Sequence, residues 1–496
     1  MKSIFLLIIF CMIKCSLLQK NISIPKEDRD NYEITKQTVK IVNIIEHEIL
    51  EKDNKKRGRK RKSNKNRRKS RNHSRRRSKS KAKEQSGLFE GDILLNSKQA
   101  SDIVTDLVNQ AENKGIDLPD STDETITRIK RKIDGDVKYN WTFPINYFVE
   151  KEVNSTVIDE ALKLIEKHTC IRFQKNEKIL NNASGLRYYF GPGCFSYVGR
   201  MYNNKMQDVS IGQNCDTIGT VQHETLHALG FDHEQCRYDR DDYIDIFLEN
   251  VEQGSENNFV KLSKEFAITL GTPYDYGSTM QYTYTSFGKD DKFTMLPKES
   301  LYNETLGLDE EASFLDIKLL NKYYCSSICL NTLQCSNGGY QDPNDCSKCK
   351  CVEGFTGVQC DELPKVTETC KRVLFNVTNE LQTLTLLGKK NCVYHFLSNE
   401  KEVILFYIDK ARFLPRSYPQ CILMNSLEVK YLDDKTRTGA IICGGKVDLK
   451  VKSKNYHLML HYRSSEDDNG AVVSFKSVKN SNLNYNIKKV ADYKKN

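Results

Sequence analysis

The stretch that decides the fold of this chain is residues 223–233, HETLHALGFDH. His223 and His227 are four residues apart, so on a helix both imidazoles lie on one face and reach one metal ion. Gly230 can adopt a positive φ and end the helix, which turns the chain back and brings in His233 as a third nitrogen ligand. Three protein ligands with an open position describe a catalytic zinc site, with one Zn²⁺ per subunit.

Glu224 follows the first histidine and projects to the side, where its carboxylate can hold a water bound to the metal. Zinc lowers the pKa of that water and Glu224 takes its proton, so a hydroxide forms beside a polarised peptide carbonyl. The core HETLH alone fits equally well a surface helix with two unliganded histidines. The longer string with Gly230 and His233 favours the zinc site and predicts Glu224 as the general base.

Two longer strings, FDHEQCRYDRDDY at 231–243 and YDYGSTMQY at 274–282, resemble the signatures of the astacin family of zinc endopeptidases. The resemblance implies an α+β, metzincin-type peptidase domain with two lobes around a zinc cleft. It implies that Met280, in the Met-turn, forms an apolar floor beneath the zinc. It also implies that Tyr282 is an additional ligand that swings away to stabilise the oxyanion. The family usually has histidine between these two residues, where this chain has Gln281.

The first 18 residues combine Lys2 with an apolar run, Ile4–Phe10, that is too short to span a bilayer. They predict a secretory signal peptide and therefore an extracellular protein, without a membrane span elsewhere. Seventeen cysteines agree with an oxidising destination. Candidate glycosylation motifs agree as well, at Asn21, Asn140, Asn154, Asn182, Asn303 and Asn376.

The net charge of +10 comes from one region, because Lys55–Lys83 holds 18 Lys or Arg and no acidic residue. Residues 1–131 carry +13, which leaves −3 for the remainder. Such a run suggests nucleic-acid binding or nuclear import, but a secreted chain without aromatic residues in the run disfavours both. A disordered, solvated linker is favoured, with adhesion to sulfated polysaccharide as a second role.

Residues 19–131 are predicted to form a propeptide, largely disordered, with a helical pattern at 31–52. Its LFEGDIL string at 88–94 resembles the F-x-G-D-I element of astacin propeptides. That resemblance implies that the Asp92 carboxylate fills the water position on zinc and keeps the zymogen inactive. The RIKR string at 128–131 fits a secretory-pathway convertase that cuts after Arg131. In the family the new N-terminus is buried near the glutamate after the third histidine, here Glu234.

The peptidase domain is predicted at 132–325, an EGF-like module at 326–361, an all-β CUB sandwich at 370–476 and a disordered tail at 477–496. This order resembles the nematode branch of the family. The resemblance implies the disulfides Cys170–Cys325, Cys194–Cys215, Cys351–Cys360, Cys370–Cys392 and Cys421–Cys443, with 1–3, 2–4, 5–6 pairing in the EGF-like module. Cys236 falls outside the expected pairs, as a buried inert thiol or one that pairs with another chain or is oxidised.

The leading hypothesis is a secreted zinc metalloendopeptidase, made as a zymogen, that cleaves extracellular proteins. By family analogy, matrix or cuticle components are candidate substrates. A catalytically inactive protein that uses its EGF-like and CUB modules for adhesion is the alternative. An inactive relative usually loses Glu224 or a ligand, and this chain keeps all four residues. A nucleic-acid-binding function conflicts with the signal peptide and the disulfides, so no nucleic-acid partner is expected.

Overall fold

The computed structural model describes residues 24–61, 87–116, 118, 140–415 and 421–479. The predicted signal peptide, Asn21 and the predicted cut after Arg131 lie outside these residues. The chain forms two compact units. The first contains the residues up to Asp159 together with Gln174–Thr217 and Glu224–Phe231. The second contains Glu160–Phe173, Ile218–His223 and the residues from Asp232 onward.

A six-stranded sheet forms the core of the first unit, with the strand order β1-β5-β6-β4-β2-β3. Strands β2, β4 and β6 are parallel, whereas β5 runs antiparallel to β6 and β1 runs parallel to β5. Every residue of β6 is buried, so both faces of the sheet are covered at this strand. The strands are β1 (Ile93–Leu94), β2 (Ile145–Val149), β3 (Phe173–Lys175), β4 (Gly185–Tyr189), β5 (Cys194–Tyr197) and β6 (Met206–Ile211).

The N-terminal segment adds strand β1 and two helices, α1 (Arg29–Arg61) and α2 (Ser97–Asn113), to this unit. Helix α2 begins at a capping box, in which Asn96 and Gln99 each bond the other's backbone N–H. Helix α1 buries Val42 and Ile45, and the Leu95 amide donates to Thr35 Oγ1 at 2.9 Å. The described part of this segment therefore packs its apolar residues against a partner surface.

Helix α1 is longer than the helical pattern predicted for residues 31–52 and continues into the basic run as far as Arg61. The rest of that run lies outside the described residues. A third helix, α3 (Ser155–His168), buries Ile158, Leu162 and Ile165, which recur at helical spacing along one face.

The second unit contains a β-sandwich near its C-terminal end. One sheet has the order β11-β13-β18-β15-β16 and the other β12-β19-β14-β17. The apolar runs VILFYI at 403–408 and LMLHY at 458–462 lie within β14 and β18. The strands are β11 (Leu374–Asn376), β12 (Gln382–Leu387), β13 (Lys390–Leu397), β14 (Glu402–Phe413), β15 (Ser426–Lys430), β16 (Ala440–Ile442), β17 (Gly444–Lys452), β18 (His457–Ser464) and β19 (Gly470–Lys479).

Strand β19 continues past the boundary predicted at residue 476, because Glu402 pairs with Lys479 across the sheet. The first residues of the predicted tail, 477–479, are therefore strand. Helix α4 (Ile218–Ala228) begins in this unit, which contains its residues up to His223. Helix α5 (Phe314–Tyr324) lies wholly within the unit. Two strand pairs complete it, β7 (Ile244–Ile246) with β8 (Met295–Pro297) and β9 (Tyr340–Asp342) with β10 (Asp345–Lys350).

Seven disulfides join cysteines of the described residues, and the five pairs expected from the sequence are among them. The six cysteines at 329–360 pair first with third, second with fourth and fifth with sixth. Cys236 is a buried thiol outside these bonds. The other pairs are Cys170–Cys325, Cys194–Cys215, Cys370–Cys392 and Cys421–Cys443.

Four of the candidate glycosylation asparagines are exposed, namely Asn140, Asn154, Asn182 and Asn376, and Asn303 is half-buried. Among the helices that the structure describes, none combines the length and the apolarity needed to cross a bilayer.

Two carboxylates are buried together where the N-terminal segment meets the sheet. Asp28 is 2% exposed and Asp208, on β6, is 5% exposed. The Tyr197 hydroxyl donates to Asp28 Oδ1 at 2.6 Å, and Arg187 Nε lies 2.8 Å from Asp208 Oδ1. Burial, and next the Asp28 charge, raises the pKa of Asp208 to about 8, and burial raises the pKa of Asp28. The pair therefore holds a proton at neutral pH.

This proton makes the stability of the first unit depend on pH. The unfolded chain releases it near the ordinary pKa of 3.8, and the folded chain releases it only near pH 8. We expect the unfolding temperature to fall as the pH rises through this window. Changing Asp28 to Asn removes one charge and should flatten the dependence, whereas Asp102→Asn, at a half-exposed site on α2, should not. Thermal unfolding between pH 5 and pH 9 measures this, and equal slopes for wild type and Asp28→Asn would contradict the shared proton.

Candidate metal centre

Helix α4 carries His223, Glu224 and His227, and it ends at the predicted glycine. Gly230 has φ of 106°, a conformation that favours glycine because other residues would be strained there. The Gly230 amide donates to His227 O at 2.8 Å and the Phe231 amide to Leu226 O at 3.1 Å. These bonds satisfy carbonyls that the last turn of the helix would leave without partners. The chain then reverses toward His233.

Two ligand histidines are oriented by backbone carbonyls. His223 Nδ1 lies 2.7 Å from Thr279 O, and His227 Nδ1 lies 2.7 Å from Phe231 O. A carbonyl only accepts, so each Nδ1 carries the hydrogen and each Nε2 is left with the lone pair that binds metals.

The predicted ligands and the predicted switch residue form one group. Asp92, His223, His227 and His233 each offer a ligand atom, and these atoms lie within 4.8 Å of one another. His227 and His233 are buried, and His227 Nε2 is 3.6 Å from Asp92 Oδ1. Three imidazole nitrogens and a carboxylate oxygen are a donor set that zinc accepts, so these residues fit a zinc ion.

Asp92 belongs to a tight turn in the N-terminal segment. The Phe89 and Ile93 backbones exchange hydrogen bonds of 3.0 and 2.9 Å, and Gly91 between them has φ of 78°. Past the turn, the Ser196 amide donates to Asp92 O at 3.0 Å, and β1 pairs with β5. The turn and the strand pairing together fix the position of the Asp92 backbone.

The Met-turn lies beside the ligand His233. The Glu234 amide donates to Met280 O at 2.9 Å, and Met280 is 3% exposed. The rings of His233 and Tyr282 have centroids 4.5 Å apart, and the Tyr282 amide donates to Gln235 Oε1 at 3.1 Å. The two residues that the family resemblance singles out therefore border His233.

Gln281 takes the place of the histidine that the family usually has between Met280 and Tyr282. The Tyr274 hydroxyl donates to Gln281 Oε1, and Gln281 Nε2 donates to Tyr282 O at 3.1 Å. The amide thus supplies one acceptor and one donor, so this buried position has hydrogen-bond partners on both sides.

Asp316 supports the same turn, and the sequence did not single it out. Its carboxylate accepts from Ser278 Oγ at 2.6 Å and from the Thr279 amide at 3.0 Å, which fixes the carbonyl that orients His223. Asp316 also closes the capping box of α5 with Ser313. The S-x-x-D pattern at 313–316 indicates a helix start but carries no sign of this second role.

Glu234, the predicted partner of the mature N-terminus, is buried and lies 3.2 Å from Arg237 Nη1. Its Oε1 accepts from the Asp275 amide at 2.7 Å. Burial raises the pKa of Glu234 to about 8 against the opposing effect of Arg237. Residues 131–139, which would contain the new N-terminus, lie outside the described part of the chain.

A sequence profile described as Astacin (peptidase family M12A) matches residues 134–325. The chain is 34% identical over 354 residues to zinc metalloproteinase nas-28 of Caenorhabditis elegans, covering 67% of each protein. This chain belongs to the astacin family. It is also 33% identical over 380 residues to zinc metalloproteinase nas-34 of Caenorhabditis elegans, covering 75% of this astacin and 62% of nas-34.

This astacin spans less than two thirds of several curated relatives, for example 62% of nas-34 and 44% of nas-37. A solved structure, the hatching enzyme zinc-protease HCE-1 of the medaka fish Oryzias latipes, is 33% identical with a TM-score of 0.33. That match covers 36% of this astacin and 88% of the medaka chain.

Metal content tests the ligand group directly. We expect purified wild-type chain to hold one zinc and His227→Ala to lose it, because the variant removes one of three nitrogen donors. His168→Ala, at a half-buried position at the end of α3, is the matched control and should keep its zinc. Mass spectrometry of the metal in purified protein is the measurement. A His227→Ala chain with the zinc content of the control would rule out this group as the zinc site.

Proposed function

We propose that this astacin is a secreted zinc-dependent metalloendopeptidase, made as a zymogen, that hydrolyses peptide bonds of extracellular proteins. The observation that carries the proposal is the ligand group of His223, His227 and His233, with Glu224 next to the first ligand on the same helix. An inactive adhesion protein has no need for a complete ligand set with a base beside it.

The bound zinc would supply Lewis-acid activation of water and of the peptide carbonyl. Glu224 is 1% exposed, and its carboxylate accepts the proton of the attacking water and passes it to the departing amine nitrogen. The Tyr282 hydroxyl donates a hydrogen bond to the oxyanion that develops on the carbonyl oxygen. Met280 gives the ligands an apolar floor that excludes water.

The N-terminal segment keeps the precursor inactive in two ways. Asp92 places its carboxylate 3.6 Å from His227 Nε2, where it competes with the attacking water. Strand β1 pairs with β5, the edge strand to which an extended substrate would add. Cleavage after Arg131 by a secretory-pathway convertase would break the covalent link between the peptidase domain and the segment that carries Asp92 and β1.

Secretion is supported by the signal-like first 18 residues, by the disulfides and by the four exposed glycosylation motifs. The module with three disulfides at 326–361 is proposed to be EGF-like, and the sandwich from residue 370 onward to be a CUB domain. Matrix or cuticle proteins are the proposed substrates.

The role of Glu224 predicts a separation of binding from catalysis. Replacing Glu224 with Gln removes the proton acceptor but keeps the side chain's shape, so zinc should remain bound. Turnover of a peptide should fall by about 10²–10⁴-fold or more. Glu160→Gln, at an exposed position of α3, should cleave at the wild-type rate. Near-normal turnover by activated Glu224→Gln would show that another residue is the base.

Latency can be tested without cleavage of the precursor. In a chain whose Arg128 and Arg131 are replaced so that no convertase cuts, Asp92→Ala should give partial peptidase activity. Activity should remain partial because β1 still covers the edge of β5. Asp102→Ala, on the same segment, is the control and should stay silent. If the uncleaved Asp92→Ala precursor is as inactive as its parent, Asp92 is not the switch.

A further inference from the structure

We propose that the C-terminal β-sandwich positions the metal centre, and that Thr438 is the positioning residue that does so through Asp275. Thr438 lies in the loop between β15 and β16 of the sandwich, and Asp275 begins the segment that carries the Met-turn. The inference rests on the proposed peptidase function, since it names a residue that acts on the same site. All residues involved belong to the second unit.

Asp275 is a buried carboxylate whose hydrogen bonds come largely from the sandwich. The Thr438 amide donates to Asp275 Oδ1 at 2.9 Å, and the Thr438 hydroxyl donates to Asp275 Oδ2 at 3.1 Å. The Gly277 amide contacts Oδ1 at 3.3 Å, and the Ser313 hydroxyl also faces the carboxylate. Asp275 is 1% exposed, so it depends on these donors because water does not reach it.

The Met-turn segment and the loop between β15 and β16 are in direct contact at Gly277 and Thr438. A Cβ placed on Gly277 would meet Thr438 Cγ2 at 2.4 Å, a distance that real side chains do not tolerate. Glycine at this position therefore lets the Met-turn backbone lie directly against the loop of the sandwich. Position 277 thus permits the two Thr438 hydrogen bonds.

From Asp275 the contacts continue to two zinc ligands. The Asp275 amide donates to Glu234 Oε1 at 2.7 Å, and Glu234 directly follows His233. Four residues past Asp275, the Thr279 carbonyl holds His223 Nδ1 at 2.7 Å. The segment that Thr438 fixes at its start thus orients one ligand ring and adjoins another. Partners that orient metal ligands commonly affect metal affinity or activity by about 10–100-fold.

The sandwich and this segment also share one hydrophobic core. Tyr302 packs between Tyr276 and Tyr431, with ring centroids 4.5 and 5.9 Å away, and the three side chains are buried. A second contact comes from the loop between β15 and β16, where the Arg437 guanidinium lies 5.2 Å from the Tyr243 ring centroid. The sandwich is consequently held in register with the Met-turn by packing as well as by hydrogen bonds.

The same interface supplies a matched control. Lys454 Nζ of the sandwich lies 2.8 Å from Glu299 Oε1, and the Lys454 side chain is half exposed. An exposed ion pair contributes little to stability, and the Lys454 ammonium bonds Glu299 rather than Asp275 or Glu234. Lys454→Ala therefore perturbs the interface without touching the proposed route to the zinc.

The experiment uses the protein that remains after cleavage at Arg131, with the peptidase domain and everything C-terminal to it present. Thr438→Val deletes the hydroxyl donor but keeps the shape of the side chain. Thr438→Ser keeps the hydroxyl donor and loses only the methyl group. Lys454→Ala is the control. We expect Thr438→Val to lower kcat by about 10-fold with KM within about 2-fold, and to release zinc to a chelator about 10-fold faster. Thr438→Ser and Lys454→Ala should match wild type in both measurements.

Thr438→Val with the kcat and zinc-release rate of Lys454→Ala would overturn the proposal. If the Thr438→Val chain is not secreted, Thr438→Ala provides the same test, since it also deletes the hydroxyl that donates to Asp275 Oδ2. A wild-type chain that cleaves no peptide would contradict the proposed peptidase function alone. The zinc-release comparison would still decide the role of Thr438.

Discussion

The orientation of imidazole rings by backbone carbonyls is the constraint on which the rest of this structure depends. A zinc site needs several Nε2 atoms directed at one point, and a histidine side chain rotates freely unless its other nitrogen is held. Here the holding atoms are the carbonyls of Phe231 and Thr279. The first follows from the helix end at Gly230, which is local in sequence. The second belongs to a segment more than fifty residues away in sequence. The orientation of His223 therefore depends on how that segment folds.

The N-terminal segment meets the peptidase domain through two different physical interactions. Around Asp92 the contact is directional, made of a strand pair and a carboxylate near His227. Around Asp28 the contact is a buried cluster, in which Tyr197 bonds Asp28, Arg187 pairs with Asp208, and burial raises the pKa of both carboxyl groups. Apolar packing joins them, since Leu88 and Leu94 cover Tyr189, Phe195 and Tyr197. Directional contacts specify where the segment binds, and the buried cluster adds dependence on pH.

Sequence patterns predicted the local features well and the distant ones poorly. The spacing of His223, His227 and His233 predicted a ligand group because a helix and a glycine turn are short-range structures. The family of the chain was predicted from the two short strings at 231–243 and 274–282. Asp316 and Thr438 were missed because their roles come from contacts with residues far along the chain, and neither residue type is distinctive. Helix α1 begins and ends beyond the helical pattern predicted at 31–52, because apolar periodicity does not mark where a helix ends.

The shared core of the Met-turn segment and the sandwich affects how this protein can be divided. Modules joined by linkers can be produced separately, because each keeps its own apolar residues covered. In this astacin a chain ended at Cys325 would leave Tyr276 and Tyr302 without the sandwich residues that now cover them. Newly exposed aromatic surface of this kind promotes association between copies. The peptidase portion is thus expected to be poorly soluble when expressed without its C-terminal partner.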